Sequence, residues 1–225
     1  MIKLECTQVI GWDMAIHGMR NPMNSWDKSD SEWDFVEDPS IINPNDEVKF
    51  VLGPNDKKLA MSLANGGAVH AKYRRMIVVY VDITAPLYWW KEFDTYKVGT
   101  VANSCSTMHK IHAKEFTVDD FSYEHLVCDE KTHCNYTCVL DFLCEILNGA
   151  RQAFIETKDK TYWWQMIQLL PSSYNQKRTV MLNYEVLNNI YFSRKDHKLD
   201  EWHTFCDWIK ELPYSELIIG EHDNA

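Results

Sequence analysis

No stretch of this sequence reaches the roughly 18 unbroken apolar residues that a membrane-spanning helix needs, so no membrane partner is expected. The opening Met1-Ile2-Lys3-Leu4-Glu5-Cys6 has neither an apolar core nor a small-residue cleavage site. A signal peptide is therefore not expected, and a cytoplasmic location is. Basic residues are in the minority, with 23 Lys and Arg against 33 Asp and Glu and a net charge of −10. A long footprint on a nucleic acid polymer needs clustered cations, and that charge argues against one. No Pro/Gly/Ser-rich linker divides the chain, so one domain over residues 1–225 is the simplest reading. There is no G-x-G-x-x-G and no P-loop, so a nucleotide cofactor would bind without a Rossmann turn. The 7 Cys are odd in number and have no paired C-x2-C spacing. Free thiols are then the default, and no metal ligand set is assigned.

What is present is a globular chain, 45% hydrophobic with 9 Trp. Residues 2–10 alternate as a strand. From Gly18 to Pro54 the chain is rich in Asn, Asp, Ser and Pro and reads as a long loop, including the turn-rich Arg20–Trp26 stretch. Asn55 is a candidate N-cap for a helix over 56–65, which Gly66-Gly67 ends. The β-branched run Ile77–Ile83 predicts a buried strand. Pro86 then opens a helix to about 97, and the small polar residues 98–108 read as a loop. Apolar positions Val139, Phe142, Leu143, Ile146 and Leu147 predict a helix over 136–157. Further helices are predicted over 159–169, 182–193 and 198–210, the last with an apolar stripe of Leu199, Trp202, Phe205, Cys206 and Ile209.

Several clusters can carry chemistry, and each has a bland counterpart. Cys134 and Cys138, with His133, Cys128 and Cys144 nearby, suit buried thiols on a helix face better than a metal. His109 and His112 can bind phosphate or shuttle protons, or be half-exposed structural histidines. Cys105 can be a nucleophile, though no activating base lies near it in sequence. The pairs Trp89-Trp90 and Trp163-Trp164 can stack on a flat cofactor, but core or subunit contact is the commoner role. Cationic patches at Lys72-Tyr73-Arg74-Arg75, Lys177-Arg178 and Arg194-Lys195 can hold a mononucleotide or form solvated faces.

Three blocks taken in order resemble the flavin-dependent thymidylate synthases. In the first, Val69-His70 precedes a strand and Ala85-Pro86, where the family has Gly-His, a strand and Ala-Pro. In the second, the family signature R-H-R-x-x-S-x-N-E-x-S-x-R has its counterpart in Thr95–Met108 with one inserted residue. Thr100, Asn103 and Ser106 keep the pattern. Lys97, Ser104 and Met108 stand where the family has Arg, Glu and Arg. In the third, Leu170-Pro171 is followed at the family interval by Asn183 and a helix containing Asn189 and ending at Ser193-Arg194. Ile167 and Glu185 replace family arginines there. The resemblance is strongest over 55–210.

This resemblance implies an α+β fold with a mixed or antiparallel sheet flanked by helices, and a homotetramer. It implies FAD as cofactor, with NADPH and methylenetetrahydrofolate as co-substrates in methylating the pyrimidine mononucleotide deoxyuridine monophosphate (dUMP) to dTMP. By the same carry-over, Arg194 activates the pyrimidine. His70, Asn183, Asn189, Lys97 and Asn103 hold the flavin, and Ser106, Thr100 and Arg178 hold the nucleotide. The altered signature leaves two alternatives: a non-catalytic nucleotide-binding or protein-interaction relative on this scaffold, and an unrelated thiol- or metal-dependent protein built on the cysteine cluster.

Overall fold

The computed structural model describes residues 2–34 and 49–220. Part of the 18–54 region that the sequence reads as a loop lies outside them. In chain order the elements are β1 (Lys3–Ile10), α1 (Trp12–Arg20), β2 (Glu32–Asp34), β3 (Lys49–Val51), α2 (Pro54–Asn65), β4 (Val78–Pro86), α3 (Leu87–Phe93) and β5 (Val101–Ser104). They continue with β6 (Cys128–Asp129), β7 (Cys134–Asn135), α4 (Tyr136–Thr157), α5 (Lys160–Leu169), β8 (Asn175–Asn183), α6 (Tyr184–Arg194), α7 (Asp200–Glu211) and α8 (Glu216–Ile219).

Four strands pair in the order β1-β4-β8-β5. β4 and β8 run antiparallel, because Leu87 N–H donates to Tyr174 O (3.0 Å) and Tyr184 N–H donates to Ile77 O (3.1 Å). β4 is not buried on both faces, as its β-branched run implies. Val79, Val81, Ile83 and Ala85 point inward, while Tyr80 is 38% exposed. Strands β2–β3 and β6–β7 form two small antiparallel pairs.

The chain packs as two compact units, each assembled from three segments. The first comprises residues 1–6, 81–97 and 102–180. Its core joins Ile111, Phe116 and Phe121 to Leu140, Cys144 and Leu147 of α4 and Met166 of α5. Trp89, Trp90 and Phe93 are buried in the same unit, which assigns that Trp pair to the core. Asn135 caps α4 by accepting from Thr137 N–H (3.2 Å) and Cys138 N–H (3.4 Å).

The 136–157 helix forms as predicted, but three of the five positions of its predicted apolar stripe face outward, and the buried face is turned toward Leu140 and Cys144. Leu140, Cys144 and Leu147 are buried, whereas Val139 (62%), Phe142 (62%) and Ile146 (40%) are exposed. Cys134 and Cys138 are exposed rather than buried thiols. They flank the Asn135 cap, where the chain turns from β7 into the helix.

The second unit comprises residues 7–80, 98–101 and 181–225. The stripe predicted on α7 is its core, with Trp202, Phe205, Cys206 and Ile209 buried beside Leu187 and Ile190 of α6. Trp12 stacks on Phe50 (5.8 Å) and meets the edges of Tyr184 and Tyr214. Helix α2 is capped by Gly53 with Pro54 in its first turn, not by Asn55. The helix opened by Pro86 ends at Phe93, well before 97.

Candidate functional site

The first unit holds a cavity of about 270 Å³ built around the segment that follows β5. The sequence reads 98–108 as a loop, but Val101–Ser104 is a strand. The strand continues the hydrogen bonding into Cys105. Its N–H donates to Lys177 O (2.9 Å), and Gln176 Nε2 donates to Cys105 O (2.8 Å). Ser106 Oγ accepts from His109 N–H (2.9 Å), which fixes the turn after Cys105. Cys105, Ser106 and Thr107 thereby line the cavity together with Lys3, Lys114 and Lys177.

Three ammonium groups, Lys3, Lys114 and Lys177, and two carboxylates, Asp119 and Asp120, line the cavity, so its wall carries charges of both signs. Lys177 is fixed by Asp82 (3.0 Å) and Glu5 (3.5 Å). The hydrogen bond to Asp82 holds the Lys177 ammonium above its ordinary pKa, so it stays charged. Lys114 pairs with Asp120, whose carboxylate also accepts from Thr117 N–H (3.0 Å). Thr84, Thr107 and Asn175 add neutral polar groups to the wall. Such a cavity offers hydrogen-bonding groups of both kinds to a ligand of mononucleotide size.

Arg178 sits next to this site but does not line it. Its Nη1 donates to Asp94 (2.8 Å), its Nε donates to Gln176 Oε1 (3.0 Å), and its guanidinium lies 4.1 Å over the Trp90 ring. Lys97 and Asn103 are exposed. Of the two candidate histidines, His109 is exposed and His112 is half-buried with its ring against Phe154 (4.9 Å).

In the second unit, the signature block and the Asn183 block meet. Asn183 Oδ1 caps α6 by accepting from Val186 N–H (3.1 Å). Gly99, at φ +76°, lies against this cap. A Cβ there would stand 3.0 Å from Asn183 Nδ2 and 3.2 Å from Val186 Cγ2, so glycine is required on both grounds. The adjacent Thr100 Oγ1 is buried with no hydrogen-bond partner among the described residues. A buried hydroxyl left in this way is a place for a ligand's polar atom.

Asn189 is exposed on α6, while its neighbour Asn188 ties the helix to Ile218 O. Arg194 ends α6 half-buried, its guanidinium 4.7 Å over the buried Trp202 ring. His70 is exposed in the turn after α2, its N–H donating to Gly67 O (2.9 Å). Glu185, which stands where the family has an arginine, is buried 3.8 Å from the equally buried Arg74.

Sequence reasoning found Cys105, Ser106 and Lys177 but gave no signal for Lys3 or Lys114. These two converge from a strand and a loop more than 100 positions apart, and only a strand-pairing pattern could have brought them together.

No protein-family model matches the sequence, and no curated protein matches it. Among solved structures, the chain is similar to thymidylate synthase X (ThyX) from Helicobacter pylori with FAD and dUMP. The TM-score is 0.66 at 16% identity, covering 98% of both chains. The flavin-dependent thymidylate synthase ThyX from Helicobacter pylori complexed with FAD and dUMP aligns equally well, over 97% of this chain and 98% of that one. The fold is therefore the α+β fold of these enzymes, as the three sequence blocks imply.

Proposed function

We propose that this chain, carrying the ThyX fold, is an FAD-dependent enzyme that methylates dUMP. The observation that carries the reading is the polar cavity at Ser106. The family places the nucleotide phosphate on this serine, and here Lys3, Lys114 and Lys177 line the same cavity, which supports a nucleotide site without the signature arginines. Lysines act as point charges rather than forks, so phosphate is held by several ammonium groups instead of one bidentate pair.

The residues present also fit a flavin. Thr100 offers an orphaned buried hydroxyl beside the Asn183 cap. His70, Lys97, Asn103 and Asn189 present exposed polar ends. By the resemblance His70, Lys97, Asn103, Asn183 and Asn189 would hold the cofactor, and Thr100 the nucleotide. When bound, FAD supplies the hydride, with methylenetetrahydrofolate as one-carbon donor and NADPH as reductant. The chain's own part is to orient the nucleotide through Ser106 and the lysines, and to stabilise charge developing on the pyrimidine through Arg194, which Trp202 holds in place.

The test is the visible absorbance of the purified chain before and after desalting with added FAD. A retained flavin band is expected, followed by turnover of dUMP when both co-substrates are supplied. A colourless chain that rejects FAD sinks the reading. The altered signature favours a second reading, a non-catalytic nucleotide-binding or protein-interaction relative. Arg178, a candidate nucleotide ligand, is already engaged by Asp94, Gln176 and Trp90. A chain that binds dUMP but not FAD would be a non-catalytic relative.

The tetramer belongs to this proposal as well. The exposed row Val139, Phe142 and Ile146 on α4 is an apolar stripe of the kind that subunit contacts cover. Phe142→Glu is expected to shift the sedimentation profile toward smaller species. An unchanged profile would remove this face from the interface.

A further inference from the structure

Apart from the lysine cavity, the second unit contains a pocket of about 220 Å³ that the proposed chemistry does not use. None of His70, Thr100, Asn183, Asn189 or Arg194 lines it. Its walls are aromatic. His17 stacks on Trp26 with ring centroids 5.8 Å apart and planes at 14°, and Trp33 meets Phe50 edge-on at 5.2 Å. Phe50 is buried, yet Trp26 is 44% and Trp33 37% exposed. Two large indoles left open on one small cavity lose apolar burial that a ligand would restore.

The platform is rigid. The loop carrying Trp26 wraps around Asp56 of α2, which is fully buried. Asp56 accepts from Arg20 Nε (2.6 Å), the Ser29 and Ser31 hydroxyls (both 2.7 Å), and the Asp30 and Ser31 N–H groups. Arg20 also donates to Ser25 O (3.2 Å) and Lys28 O (2.9 Å). Trp26 Nε1 donates to Asn21 Oδ1 (2.8 Å), which fixes the indole. Gly53 lets this loop approach, since a Cβ there would lie 2.2 Å from Asp30 O.

The charge of the pocket follows from the same contacts. Arg20 lines it, but its charge is met by Asp56. The other ionised lining groups are Asp13 and Glu32, both exposed carboxylates. No ion pair among the described residues meets these two carboxylates, and aromatic rings with such carboxylates recognise a cation. The stacked walls and small volume favour a flat one, of one or two fused rings, far smaller than a dinucleotide.

We propose that the Trp26–Trp33 pocket binds a small, flat organic cation such as a positively charged nitrogen heterocycle. The full-length chain is titrated calorimetrically with N-methylquinolinium, and with quinoline at pH 7.5 as the uncharged isostere. One site per chain is expected, with quinoline bound at least tenfold more weakly. Trp26→Ala is expected to weaken the cation at least tenfold, as is the combined Asp13→Asn and Glu32→Gln. Because Trp26→Ala can disturb the loop, Trp26→Phe is measured beside it and is expected to retain most of the affinity. Absence of saturable binding overturns the proposal. So does equal affinity for quinoline, or full affinity in the carboxylate double variant.

Discussion

Asp56→Ala is expected to destabilise the chain by about 3–5 kcal/mol, the range seen when one partner of a buried ion pair is removed. Asp56 is fully buried and is the common acceptor for Arg20, Ser29, Asp30 and Ser31. Its removal leaves Arg20, itself only 4% exposed, as an uncompensated buried charge. Against a typical stability of about 5–15 kcal/mol, this is a large share. Burial acts to raise the Asp56 pKa. The hydrogen bonds from Ser31, Ser29 and Arg20 outweigh it and hold the carboxyl below its ordinary value.

The sign of the pH dependence follows. A depressed folded-state pKa contributes stability that is fully present above the unfolded carboxylate pKa of about 3.9 and is lost as pH falls through the lower folded value. Urea unfolding from pH 7 down to pH 2 therefore separates two variants from the parent. Asp56→Asn keeps the shape but loses the acid-dependent component, and Asp56→Ala loses the packing as well. A midpoint shift equivalent to less than about 1 kcal/mol for Asp56→Ala would show that the knot adds little beyond ordinary hydrogen bonding. Both variants are also expected to loosen the loop that presents Trp26.

Under the proposed function, Arg194→Ala is expected to lower turnover of dUMP by about 10²–10³-fold, the effect of deleting a group that stabilises transition-state charge. Stability is expected to change little. Arg194 is half-buried at the end of α6, and its contact with Trp202 is worth about 0.5–1 kcal/mol. Steady-state kinetics beside thermal unfolding distinguishes the two effects. Arg194→Lys keeps the charge without the planar fork and should fall between parent and alanine variant. Turnover unchanged in Arg194→Ala would remove the residue from the chemistry. A collapse of Tm in parallel with activity would make its role structural.

Much of the chain is legible locally. The 22-residue helix α4 coincides with its predicted span, and β1 and α7 come within two residues of theirs. These elements carry strong periodicity or caps of their own, which fix their spans, though the buried face follows the predicted stripe only in α7. The order and spacing of the three family-like blocks also led to the fold that the solved structures share. β8 was illegible for a physical reason. Its alternating positions Gln176, Arg178, Val180 and Leu182 include two polar residues, tolerated only because Trp90 and Asp94 receive Arg178 and Cys105 O receives Gln176. The missing partners lie on other elements, so no local pattern marks the strand.

The same division runs through the candidate sites. Sequence alone determined the spans of β1, α4, α5 and α7, the acidic balance of the chain, and the positions of Ser106, Asn183 and Arg194 within the family-like blocks. Tertiary structure decided which charges matter. It gathered Lys3, Lys114 and Lys177 with Ser106 on the wall of one cavity, set Arg74 against Glu185, and neutralised Arg20 with Asp56, 36 positions away. Whether a charge is solvated, paired or offered to a ligand depends on what the fold places beside it, and Coulombic partners within a few ångströms are chosen by packing rather than by sequence proximity.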